Sequence, residues 1–262
     1  MKLAALLASL LALSIGGEAR AVEDAVMKEL VPTGKLRVGV AYAPAPTPVF
    51  VTKDASGGVR GVPHDLGTAL ANALGVPAEI VVAATTGELT DACTSGAIDI
   101  GFMPADDERR ARVDFSPPYF VIESTYLAAA GTDIKALADV DRPEITVVGI
   151  AGSTTMRAAG RNLKVAKIVG AKSVDEAMTM MKAGTAQAFA LTHDSLPALQ
   201  PQLPGSRILD GAFQITGVAI AIQKNRPAAL AYVEEFIKKA KADGTVRRAF
   251  DDAGLSRLTI AP

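Results

Sequence analysis

The sequence predicts an α/β protein of two lobes with mostly parallel sheets, and two observations carry that prediction. Short apolar strands alternate with amphipathic helices along almost the whole chain, the pattern of helices packed on parallel sheets. A helix–glycine–strand unit also occurs twice, around Gly96 and around Gly184, at matching places in the two halves.

Taken in order, Val22 to Leu30 reads as a short surface helix ended by the turn Pro32-Thr33-Gly34. Leu36 to Val40 alternates as a first strand. Ala43 to Pro48 is interrupted by prolines, which fix φ and remove donors, so it is a stiff loop. It leaves the carboxyl end of a strand, the edge at which open α/β sheets bind ligands. Leu66, Ala69, Leu70, Ala73 and Leu74 follow helical spacing, with Asp65 placed to cap the start and Gly75 to end it. Ala78 to Val82 is the next strand. Thr85 and Glu88 form a capping-box pair that opens a helix stopping at Gly96, and Ala97 to Phe102 is a buried strand.

The second half repeats the phrase. Glu144 to Ile150 is a strand, Ser153 opens a helix, and Val165 to Val169 is a strand. Ser173 and Glu176 box the start of a helix carrying Ala177, Met180 and Met181, and Gly184 ends it before the strand Ala186 to Leu191. Ile215 to Ile222 is a long β run. Asn225 and Pro227 start a helix that turns Leu230, Val233, Ile237 and Ala240 inward, Gly244 breaks it, and Thr245 to Ala253 is the last helix.

The amino terminus sets the compartment. Met1-Lys2 gives a positive start, Leu3 to Ile15 is apolar, and Ala19-Arg20-Ala21 is a small-x-small cleavage site. Residues 1–21 therefore read as a secretory signal peptide cut after Ala21, too short and wrongly flanked to span a bilayer. No later stretch is long enough for membrane insertion. The full chain has 27 Lys+Arg against 28 Asp+Glu, and removing the leader leaves 25 against 27. A balance so close to neutral carries no electrostatic footprint for nucleic acid. With Cys93 as its single cysteine the chain forms no internal disulfide. His64, His193 and Cys93 show no metal-ligand spacing, and no P-loop, G-x-G-x-x-G or G-x-S-x-G occurs, so no cofactor or metal is expected.

The most informative stretch is Asp99 to Tyr119, D-I-G-F-M-P-A-D-D-E-R-R-A-R-V-D-F-S-P-P-Y. Glu108-Arg109 followed by Phe115-Ser116-Pro117-Pro118-Tyr119 resembles the signature of family 3 bacterial extracellular solute-binding proteins, the polar amino-acid binders of ABC transporters. Gly61-x-x-x-Asp65-Leu66 is similar to that family's first-helix entry and Gly152-Ser153-Thr154 to its second-lobe turn. The resemblance implies a two-lobed periplasmic binding protein fold, a Venus flytrap with two crossover strands. Lobe I would comprise residues 22–125 plus 220–262 and lobe II residues 126–219. It further implies a periplasmic monomer whose partners are a small-molecule ligand and the permease of an ABC transporter.

Read by its charges alone, Asp106 to Arg110 is a solvated surface run. The family register makes Arg109 a ligand contact instead, and a guanidinium can grip both oxygens of a carboxylate. Ser153 and Thr154 open a helix directly after a strand, where free N–H groups and hydroxyls offer a polar-group site. The loop from Tyr42 to Phe50 supplies a lip, with Thr47 as a hydrogen-bonding contact. The chain departs from the family in two places. Phe102 and Pro104 stand where amino-acid binders usually carry Ser or Thr upstream of the arginine. The lobe II aspartate that takes the α-ammonium is replaced by Thr192, with Asp194 the nearest carboxylate. A carboxylate ligand without an ordinary α-ammonium thus competes with an amino acid. Cyclohexadienyl dehydratase shares the fold, but its lobe II glutamate falls here on Leu196 or Pro197, neither of which transfers a proton. A soluble sensor component is the third reading.

Overall fold

Glycines, prolines and side-chain caps set the element boundaries, and these fix which loops meet. The computed structural model describes residues 23–42 and 47–262. The expected leader and residues 43–46 of the proline-rich loop lie outside the described residues.

The chain opens with helix α1 (23–30). Strand β1 (Leu36–Ala41) and a small hairpin, β2 (Thr52–Lys53) with β3 (Val59–Arg60), lead to α2 (Val62–Ala73). There follow β4 (Ala78–Ala83), α3 (Thr86–Ser95), β5 (Ile100–Pro104), the single turn α4 (Asp107–Arg110) and β6 (Val113–Phe115). The long strand β7 (Phe120–Ala128) leads to β8 (Thr146–Ile150), α5 (Thr154–Asn162), β9 (Lys167–Ala171) and α6 (Val174–Lys182). Then come β10 (Ala188–Thr192), the short α7 (Leu196–Leu199) and β11 (Arg207–Ile208). A second long strand, β12 (Gln214–Gln223), returns to α8 (Pro227–Ala242) and α9 (Thr245–Asp252).

One sheet path runs β4-β1-β5-β12-β7-β10-β8-β9. Strands joined through helices are parallel: β1 with β4 and β5, and β8 with β9 and β10. The expectation of mostly parallel sheets is corrected at the centre, where β7 and β12 pair antiparallel with each other, with β10 and with β5. β12 changes partner along its length, facing β7 from Gln214 to Val218 and β5 from Val218 to Ile222. These two strands belong to both ends of the molecule, and the cores divide on either side of them. Val38, Leu66, Ile100, Ile122 and Phe250 share one apolar cluster, while Leu127, Val148, Met178 and Phe189 share another. Two further clusters, around Tyr126 and Val147 and around Leu89 and Met103, pack on the other faces of the same strands, so each side has its own core, and two sides bridged by two strands make two lobes.

Asp65 is not the helix cap that spacing suggests. The helix begins earlier, at Val62, with Gly61 at the N-cap and Pro63 in the first turn, where its missing N–H costs nothing. Gly61 has φ 140°, and a Cβ there would collide with the Phe50 carbonyl, so only glycine fits. The earlier start turns Val62, Leu66, Gly67, Leu70 and Ala71 inward and leaves Ala73 exposed. The strand expected at 97–102 lies instead at Ile100–Pro104. Just before it, the Asp99 N–H donates to the Arg37 carbonyl at 3.0 Å, and the Arg37 backbone N–H, Nε and Nη2 all donate to the Asp99 carboxylate, at 2.8, 3.1 and 2.6 Å.

Candidate functional site

β5 delivers the chain to the single turn of α4, and Asp106 caps that turn by accepting the Arg109 N–H at 3.1 Å. The turn aims Arg109 inward, and the residue is only 2% exposed. Its Nη1 donates to the Pro104 carbonyl at 2.8 Å. Its Nη2 donates to the Thr86 hydroxyl at 2.9 Å and, across the lobe boundary, to the Gly152 carbonyl at 3.1 Å. Among the described residues these acceptors are neutral. Burial, reinforced by Arg157, pulls the Arg109 guanidinium down to about 10, against the opposing pull of Asp106 and Glu108. A buried cation held only by neutral acceptors is short of an anion.

The facing wall belongs to the second lobe. β8 is followed by a turn through Gly152, with φ 73°, and Ser153 caps α5 by accepting the Met156 N–H at 3.1 Å. The lobes approach backbone to backbone here, since a Cβ on Gly87 would sit 3.5 Å from the Gly152 carbonyl oxygen. Thr154 and Thr155 are buried behind that turn, and Thr155 shares a 3.0 Å hydrogen bond with Ser124 of β7. Beside these contacts lies a cavity of about 230 Å³ between the lobes, lined among others by Tyr42, Thr85, Thr86, Ser153, Lys172 and Ser173. Thr85 and Ser173 cap α3 and α6 as Ser153 caps α5, so three helix starts converge on one space.

The structure brings together some of the residues singled out in the sequence and separates others. Tyr42 and Ser153 line the cavity, and Arg109 stands one hydrogen bond behind it through Thr86. Thr154 is buried at the start of α5 without lining the cavity. Thr47 and Asp194 meet each other across the lobes, the hydroxyl donating to the carboxylate at 3.2 Å. Thr192 is buried, and its hydroxyl donates to Ser195 at 2.8 Å. The chain folds back here, with the Ser195 N–H donating to the Thr192 carbonyl at 3.1 Å, which swings Asp194 toward lobe I. Burial pushes the Asp194 carboxyl up, and the hydroxyls gathered around it, Thr192, Thr47 and Ser195, oppose that shift.

Phe102 is the correction. Side chains of β5 alternate, so Ile100 and Phe102 enter the core beneath α2 while Met103 faces the opposite cluster. The Phe102 ring stands edge-on to Tyr119, with centroids 5.8 Å apart, and does not reach the cavity. Sequence reading missed Thr86, Lys172 and the lining role of Thr85 and Ser173, which it took only as caps. The signal was present, because all four follow the carboxyl ends of β4 and β9.

Comparison with known proteins agrees with this architecture. The family model for bacterial extracellular solute-binding proteins, family 3, matches residues 36–252. A glutamine-binding protein of Geobacillus stearothermophilus is 29% identical over 192 residues, covering 71% of this chain and 72% of its own. An ABC-transporter binding component from Wolinella succinogenes, solved with lysine, is 29% identical with a TM-score of 0.72, over 84% of this chain and 95% of that one. An ancestral amino acid-binding protein, a precursor of cyclohexadienyl dehydratase, is 30% identical with a TM-score of 0.73, over 86% and 98%. This chain belongs to the bacterial extracellular solute-binding proteins, family 3.

Proposed function

We propose that this protein is a periplasmic binding protein that captures a small polar, carboxylate-bearing ligand between its lobes and hands it to an ABC-transporter permease. One observation carries the reading: Arg109 is a buried guanidinium at the lobe boundary whose acceptors are two carbonyls and a hydroxyl. The charge it lacks is the charge a carboxylate brings. Lobe I is residues 22–125 with 220–262, and lobe II is residues 126–219. In this reading Arg109 takes the carboxylate, the α5 start at Ser153 and Thr154 offers N–H groups from the other side, and Tyr42 forms the lip. Thr47, Thr192 and Asp194 close the far end of the cleft. The leader 1–21, cut after Ala21, directs export, and the mature protein acts as a monomer.

Relatives that bind glutamine or lysine support an amino acid or a related organic acid as ligand. The dehydratase reading has a structural neighbour but lacks an acid at Leu196 or Pro197, so binding without turnover is the better account. A thermal-shift screen of the mature protein against amino acids and small organic acids tests the proposal. A specific ligand raises the melting temperature, because it binds only the folded state, and Arg109→Met abolishes the rise. No stabilising compound in either class, or a shift that survives Arg109→Met, overturns it.

A further inference from the structure

Arg157 lies one turn into α5, on the second lobe, and reaches the first. Its Nε donates to Asp106 at 2.8 Å, its Nη2 donates to the same carboxylate oxygen, and its Nε stands 3.0 Å from Glu108. Its Nη1 donates to the Gly152 carbonyl at 3.0 Å. The pair is sheltered, with the Asp106 side chain 7% and the Arg157 side chain 18% exposed. Asp106 serves both lobes at once. One oxygen caps the turn that presents Arg109, and the other holds the second lobe. Neither Asp106 nor Arg157 lines the cavity.

We propose that the Arg157–Asp106 pair is a latch between the lobes, and that Arg157 is a positioning residue that sets ligand affinity without touching ligand. The inference rests on the inter-lobe binding reading above. A contact made only when the lobes meet favours the closed arrangement, and every ligand that needs this arrangement gains by the same factor. That gain falls on the dissociation rate, because the latch forms after encounter.

Small-angle X-ray scattering of the ligand-free protein tests the latch independently of any ligand. Arg157→Gln, and more strongly Arg157→Glu, which sets three carboxylates together, should enlarge the radius of gyration with unchanged far-UV circular dichroism. Arg157→Lys keeps one charged contact and should fall between them and the native protein. Superimposable scattering of native and Arg157→Glu protein overturns the latch. With L-glutamine and L-lysine as probes, Arg157→Gln should weaken each bound probe about tenfold, equivalent to about 1.4 kcal/mol, almost wholly through faster dissociation. A loss confined to one of two bound probes would make Arg157 a ligand contact and overturn the proposal. Should neither probe bind the native protein, those two amino acids drop out as ligands, while the scattering arm still decides the latch.

Discussion

Removing the guanidinium of Arg109 should cost the ligand-free protein less than its three hydrogen bonds alone would suggest, because burial already penalises the charge they hold. Arg109 is held down at about 10, well below the ordinary guanidinium value, with burial the main cause. That difference corresponds to about 3 kcal/mol against the charged form. Because the folded value lies below the unfolded one, the penalty is fully present at neutral pH and disappears only as pH rises past about 10 into the ordinary guanidinium range. Arg109→Met relieves it and gives up three hydrogen bonds to neutral acceptors. Each bond from a charged donor contributes about 1.5–3 kcal/mol. The two effects oppose: three bonds amount to about 4.5–9 kcal/mol, and subtracting the relieved penalty leaves a net loss of about 1.5–6 kcal/mol, with no charge left orphaned. Arg37→Met is the contrast. It strips two bonds from Asp99, whose side chain is 3% exposed, and leaves that carboxylate buried with only a backbone donor. Breaking such a pair costs about 3–5 kcal/mol. Urea unfolding of both variants at pH 7 without ligand measures the two losses. A loss above about 6 kcal/mol for Arg109→Met, the full worth of its three bonds with no penalty relieved, would make Arg109 a structural brace and refute the argument that its charge awaits an anion.

Three further outcomes follow from single residues. Gly61→Ala should lower soluble yield or cut stability by more than about 2 kcal/mol, measured by urea unfolding, since a Cβ meets the Phe50 carbonyl at a φ of 140°. Asp194→Asn should be at least as stable as the native protein at pH 7. Burial raises the folded carboxyl above its unfolded value, so its penalty is present at neutral pH and fades on acidification; thermal melts from pH 7 to pH 4 should show the advantage shrinking. Cys93 is fully buried with its thiol pushed up to about 12. It should ignore a thiol reagent in the native protein and react as one equivalent only in denaturant.

What was legible in the sequence is what local chemistry decides. The Thr85/Glu88 and Ser173/Glu176 pairs both cap as read, the hydroxyls accepting at 3.1 and 3.2 Å. Their carboxylates reach back one residue further than a strict box, to the N–H groups of Ala84 and Lys172. Gly96 and Gly184 sit at helix ends with φ of 75° and 71°, as a left-handed exit requires. The errors come from contacts the local pattern does not contain. The start of α2 depends on the Phe50 backbone, and the face Phe102 presents depends on the register of β5 against β1 and β12. Arg109 belongs to the same class. Its neighbours Asp107, Glu108 and Arg110 are exposed, and its burial comes from Thr86 and Gly152, distant in sequence.

On the proposed binding role of Arg109, its hydrogen-bond arithmetic would tie the anchor to the closing of the lobes. A guanidinium has five N–H groups, and the bonds to Pro104, Thr86 and Gly152 occupy one on Nη1 and both on Nη2. The Nε–H and the second Nη1 hydrogen remain, and these do not lie side by side. A carboxylate gripped by a fork must therefore replace either the Thr86 hydroxyl or the Gly152 carbonyl. The first exchange stays within lobe I, whereas the second severs one of the bonds that hold the lobes together as the ligand arrives. Gly152 can give up Arg109 because Arg157 also donates to its carbonyl, so that oxygen is not stranded. The contact that would free Arg109 for a ligand is thus made by the residue that grips Asp106, and a change at Arg157 should be felt at the anchor through the Gly152 carbonyl they share.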